Sequence, residues 1–141
     1  MKKIVVIFML LLSLLGCKQG SKSTSTVTVT AEGPSAKVQV LLFHTAQRCA
    51  TCMAIESAIK QVLDAHFAEQ MKDGTVILQD IDGSLRENEA LVNKYEVIST
   101  SIFVDDEGKI TNLTNDAFSY ARTEPDRFKE ILRNTIAKAV E

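Results

Sequence analysis

From residue 36 onward the apolar positions follow two different rhythms. Residues 37–43 (KVQVLLF) end in four consecutive apolar positions, the pattern of a strand covered on both faces. Residues 50–72 place Ile55, Ile59, Val62, Leu63 and Phe67 on one stripe, with Lys60, Gln61 and Asp64 off it. That spacing predicts an amphipathic helix, stopped by Asp73-Gly74. A second strand is predicted over 75–80 (TVILQD), a second helix over 85–95 with Leu91 and Val92 inward, and a third strand over 99–104. Asp105-Asp106-Glu107-Gly108 reads as a hairpin turn, leading to a fourth strand over 109–113. Thr123 is the predicted N-cap of a last helix, with Pro125 in its first turn. Phe128, Ile131, Leu132 and Ile136 give that helix an apolar face. The predicted order is β-α-β-α-β-β-α, an α/β domain over 36–141 with one modest core.

The residues ahead of this domain are of another kind. Met1-Lys2-Lys3 is a basic start, and residues 4–15 are apolar except for Ser13. Twelve residues are too few for a membrane-spanning helix, which needs about 20; the pattern is that of a secretory signal. It closes with Leu14-Leu15-Gly16-Cys17, which resembles the bacterial lipobox. The resemblance implies a signal peptide over 1–16 and a lipidated Cys17 as the first mature residue. It also implies a cell-envelope location, held to the membrane by lipid and facing the periplasm or cell surface. Residues 17–35 then read as that cysteine and a Ser/Thr-rich tether, within which 26–30 (TVTVT) alternate as a short edge strand does.

This changes the charge and the thiol count. The 141-residue chain carries 16 basic and 18 acidic residues, a net of −2. Lys2 and Lys3 lie in the signal with no acid, so 14 basic residues then face 18 acidic ones, a net of −4. A mildly acidic chain without a basic run gives no reason to expect a nucleic-acid partner. With Cys17 acylated, only Cys49 and Cys52 remain of the three cysteines, in a compartment where disulfides persist.

These two stand in HTAQRCATCMAIE, residues 44–56, between the first strand and the first helix. A structural zinc needs about four ligands. Beyond the two thiols only His44 is near, since His66 is fourteen residues past Cys52, about 21 Å along the helix. No resident metal is therefore expected, although a two-thiol site for a soft metal or metalloid stays open. As a staple the pair closes a very small loop, worth on the order of 2 kcal/mol. Redox exchange has a mechanism. Cys49 at the helix start faces unpaired backbone N–H groups and the positive dipole end, with Arg48 beside it, and each favours the thiolate. Cys52 falls one turn later, within disulfide reach but more covered. Cys49 would attack a partner disulfide and Cys52 would resolve the mixed disulfide.

The element order, the cysteine pair at the first strand-to-helix junction, Asp80-Ile81-Asp82 after the second strand and Tyr95-Glu96-Val97 before the third resemble the thioredoxin fold. The resemblance implies a single domain with a central mixed sheet flanked by helices. It also implies a thiol-disulfide oxidoreductase without cofactor, monomeric, acting on a protein or small-molecule disulfide with a membrane thiol carrier as electron source. The motif departs from the family at four places. Ala50-Thr51 separates the cysteines, Gln47-Arg48 stands where the family has an aromatic residue, and Gln39 leaves the first strand without its buried acid. Ser101 stands where the family has a cis-proline, and it is expected to be trans because a non-proline cis bond costs about 3 kcal/mol. His44 and the hydroxyls of Thr100 and Ser101 are the candidate supporting groups near the thiols. Loss of the proline leaves two further readings: a thiol-based carrier of a soft ion, or a redox-inactive adaptor.

Overall fold

The computed structural model describes residues 36–141; the signal, Cys17 and tether readings lie outside them. Strand β1 (Val38–His44) is followed by helix α1 (Ala50–His66), a short helix α2 (Ala68–Asp73) and strand β2 (Val76–Asp82). A 3₁₀ turn (Arg86–Asn88) leads into helix α3 (Glu89–Lys94). Strands β3 (Ser101–Asp106) and β4 (Lys109–Asn112), a helix α4 (Thr114–Tyr120) and a last helix α5 (Pro125–Val140) complete the fold.

The four strands form one mixed sheet in the order β2-β1-β3-β4. β1 runs parallel to β2, from Val38 opposite Val76 to His44 opposite Asp82. It runs antiparallel to β3, from Val38 opposite Asp106 to Phe43 opposite Ser101. The continuous apolar run of β1 is explained by two cores. Val38, Val40 and Leu42 pack with Ile55, Ile59, Val62 and Leu63 of α1 and with Phe128, Leu132 and Ile136 of α5. Leu41 and Phe43 point the other way, onto Ile81, Tyr95 and Phe103, with Leu91 and Val92 of α3 behind them. Alternate side chains of a strand leave opposite faces, so a strand buried on both faces shows no polar alternation.

Several boundaries differ from the sequence expectation. The helix expected over 50–72 breaks at Phe67, whose backbone (φ −131°, ψ 20°) is not helical. Its ring stays in the core at 4% exposure, and its N–H still closes the last turn on the Leu63 carbonyl at 2.9 Å. Gly74 then ends α2 at φ 83°, a left-handed conformation that glycine adopts without steric cost. β3 starts two residues later than expected and runs on through Asp105. That acid is accommodated because the Tyr95 hydroxyl and the Gly108 N–H both donate to it. The hairpin turn centres on Glu107 and Gly108, both at positive φ, as a two-residue turn requires.

Helix α4 has no counterpart in the expected order. Its inward positions are Leu113, Ala117 and Ala121, a stripe at i, i+4 and i+8 too small to stand out in a polar stretch. Asn112 and Thr114, which match a glycosylation sequon, shape its entry: Thr114 N–H donates to Asn112 Oδ1 at 2.9 Å and Thr114 Oγ1 accepts from Ile102 N–H at 3.0 Å. Thr123 does not cap α5. Its hydroxyl donates to the Ser119 carbonyl at 2.9 Å, and Glu124 takes the N-cap position with Pro125 first in the helix.

Candidate active site

β1 ends at His44, where the Gly83 N–H donates to its carbonyl at 2.8 Å. Thr45 folds the following loop back by donating from Oγ1 to the Gln47 carbonyl at 3.1 Å. Cys49 then occupies the N-cap of α1 in an extended conformation (φ −84°, ψ 164°), and its sulfur accepts the Cys52 N–H at 3.1 Å. A capping side chain takes one of the donors that a helix start leaves unpaired; here that acceptor is sulfur.

Cys49 and Cys52 are joined as a disulfide, their Cα atoms 5.1 Å apart. Cys49 is exposed, whereas Cys52 is only 8% exposed. The asymmetry follows from position: Cys49 sits on the open end of the helix, while Cys52 lies within its first turn and faces the sheet.

The remaining candidate residues divide. Thr100, 6% exposed, donates from Oγ1 to Cys52 Sγ at 3.6 Å. Ser101 turns away, donating to the Ser99 carbonyl at 3.0 Å, and no peptide bond among the described residues is cis. His44 approaches Asp80 rather than a sulfur, with Nε2 3.1 Å from Oδ1. Arg48 pairs through Nη1 with Glu56 and through Nη2 with Asp80 at 3.3 Å. Glu56 also accepts from Lys60 Nζ at 2.5 Å. That lysine first, and Arg48 after it, hold the Glu56 carboxyl below the usual carboxylate range against the opposing effect of burial. Asp82 is likewise held low, chiefly because the Ser84 hydroxyl and N–H both donate to it.

Glu56 and Asp80 are the members of this neighbourhood that sequence reasoning missed. A signal for Glu56 was present: it follows Cys49 by seven positions, two helical turns on the same face. Asp80 entered only as part of Asp80-Ile81-Asp82 after the second strand; nothing signalled its place beside Arg48, because only the parallel pairing of β1 with β2 brings it toward the end of β1. Among the described residues no three His, Cys, Asp or Glu side chains converge as a metal site, and no helix is long and apolar enough to cross a membrane.

No family model matches the chain, and no curated protein matches it. Solved structures do. One is a malarial protein, 18% identical over 67% of this chain and 96% of that one, with a TM-score of 0.45. Another is Deadhead, the germline-specific thioredoxin of Drosophila melanogaster, 20% identical over 74% of this chain and 82% of that one, with a TM-score of 0.48. The chain has a thioredoxin-like fold. Its own topology carries that statement: a parallel β1–α1–β2 unit, an antiparallel β3–β4 hairpin beside β1, and a closing helix over the first core. The cysteine pair at the start of α1 suits this fold to thiol-disulfide chemistry.

Proposed function

We propose that this protein exchanges disulfides in the bacterial cell envelope through Cys49 and Cys52. The observation that supports it most is the placement of the two sulfurs: one exposed at a helix N-cap, the other buried one turn on, bonded to each other. The exposed sulfur at the dipole end is the better nucleophile as a thiolate. The covered one meets a substrate only after the first has captured it.

In the reducing direction, the Cys49 thiolate attacks one sulfur of a partner disulfide. A bond forms between Cys49 and that sulfur, and the partner's second sulfur leaves as a thiolate and takes a proton. Cys52 then attacks Cys49 Sγ, expelling the partner's first sulfur, which takes the other proton. The partner disulfide has gained two electrons and two protons, and the Cys49–Cys52 disulfide has formed. Thr100 Oγ1 donates toward Cys52 Sγ, supporting negative charge on it during the second step.

Met53, 54% exposed, and Ile98, 96% exposed, belong to the two segments that meet at the disulfide. Each is an exposed apolar side chain available to a protein or small-molecule disulfide. A membrane thiol carrier supplies the electrons, and acylated Cys17 holds the protein at the membrane. A Cys52→Ala variant tests the reading, because the mixed disulfide can then form but not resolve. Covalently trapped envelope partners are expected through Cys49. If nothing is trapped and the reduced pair instead binds Cu(I) or arsenite tightly, the carrier reading replaces exchange.

A further inference from the structure

The cation next to the exposed cysteine is tied down. Arg48 directly precedes Cys49, yet its guanidinium pairs with Glu56 on α1 and Asp80 on β2. Among the described residues, the hydrogen bonds to the two sulfurs come from the Cys52 N–H and the Thr100 hydroxyl. Glu56 lies two turns beyond Cys49 on the same helical face, roughly 10 Å along the axis. The arginine therefore reaches back along the helix, away from its open end. Both anchors are themselves held: Glu56 accepts from Lys60 at 2.5 Å, and Asp80 lies 3.1 Å from His44 Nε2. Asp82, which also feels the charges of His44 and Arg48, completes the surrounding titratable groups.

Taking the exchange reading as given, we propose that Glu56 and Asp80 are positioning residues that hold the Arg48 guanidinium along α1 and off the Cys49 sulfur. The chemical consequence is directional. A guanidinium free to approach Cys49 would favour its thiolate. A more stabilised thiolate is a weaker nucleophile and a better leaving group, which moves a dithiol toward the oxidant end of the scale. Tethering the arginine keeps the reactivity of Cys49 dependent on the helix end and biases the pair toward reduction of its partners.

The test is a cycle of variants in the reduced full-length protein: unchanged, Glu56→Gln, Arg48→Ala, and the double variant. Each is alkylated across a range of pH, and the rate and pH midpoint are read at Cys49. With Arg48 present, Glu56→Gln should lower the midpoint and, at pH values below it, where the gain in thiolate outweighs the loss of nucleophilicity, speed alkylation by at least about threefold. In the Arg48→Ala background the same substitution should change the rate by no more than about twofold, since only the loss of a distant surface charge remains. Asp80→Asn should act in the same direction as Glu56→Gln, again only when Arg48 is present. Equal factors in the two backgrounds, or no shift of the midpoint, would overturn the tether. The preference for alkylation at Cys49 over Cys52 in the unchanged protein reports separately on the exchange reading, so either idea can fail alone.

Discussion

At one end of β1, Gln39 lies opposite Asp105, a carboxylate only 3% exposed. It takes the Tyr95 hydroxyl at 2.5 Å on one oxygen and the Gly108 N–H at 2.7 Å on the other, with Lys94 Nζ 3.7 Å away. At the other end, His44 leads to Arg48, Glu56, Asp80 and Lys60, all partly or fully open to water. Both clusters pair acids with donors. The first is sealed, so each lost partner leaves a buried group unsatisfied and costs its full desolvation. The second is wet, so its ion pairs contribute little to stability, but they can redirect a charge beside a reactive sulfur. One cluster holds the fold and the other, on the proposed tether, adjusts chemistry, and the difference lies in burial rather than in residue type.

The largest expected effect is at the sealed end. Asp105→Ala removes the acceptor of the buried Tyr95 hydroxyl and of the part-buried Gly108 N–H and should destabilise the domain by about 2–4 kcal/mol in denaturant unfolding. Tyr95→Phe leaves Asp105 with its remaining donors and should cost about 1–2 kcal/mol. Neither should change the alkylation rate of Cys49 by more than about twofold; a larger change would erase the division between the two ends. The sealed end should also respond to alkali. Burial, and then the hydrogen bond to Asp105, push the Tyr95 phenol well above its usual 10.0. The folded state therefore holds that proton more tightly than the unfolded state does. The resulting stability is complete below pH 10 and is lost as the pH rises beyond it. Stability measured above pH 10 should fall more steeply in the unchanged protein than in Tyr95→Phe.

At the reactive end the effects should be kinetic and smaller. Thr100→Val keeps the shape of the buried side chain but removes the donor to Cys52. Resolution of a mixed disulfide should slow by about three- to tenfold, read from its lifetime, with folding stability within about 1 kcal/mol. The smallest effect concerns Glu56. Its carboxyl is held below its ordinary 4.5, so its contribution to stability is present above that pH and fades as the pH falls below it. Glu56→Gln should flatten the acid limb only slightly, because the group is near solvent. A large loss of acid stability in that variant would place Glu56 with the sealed cluster instead.

Most of the sheet was legible in the sequence because β1 is buried on both faces and α1 carries a broad apolar stripe. Both signals are long and chemically unambiguous. The errors fall where a local cue had a competing use. Asp105 looked like a turn residue because nothing in the sequence announces that Tyr95 and Gly108 will satisfy it. Thr123 looked like a cap, but its hydroxyl was taken by the preceding helix. Helix α4 was hidden by the small size of its inward residues. At the site, the sequence placed Cys49 and Cys52 at the strand-to-helix junction, where the fold has them. It also placed Arg48 beside the thiol in sequence, but not the carboxylates that turn it aside, since one of them arrives from another strand.

The double burial of β1 has a consequence for the order of events during synthesis. Phe43 meets its neighbour Ser101 only after the intervening helices and β2 have been made, and β1 gains its second core from α3 and β3. Until then β1 lacks one of its two neighbours, and the Thr100 hydroxyl that donates to Cys52 is not yet in place. Non-local pairing of this kind is slow to close. A newly made chain thus passes through an interval in which Cys52 lacks the cover that the Thr100 segment gives it. The difference in cover between the two sulfurs is therefore completed last, by the arrival of the third strand.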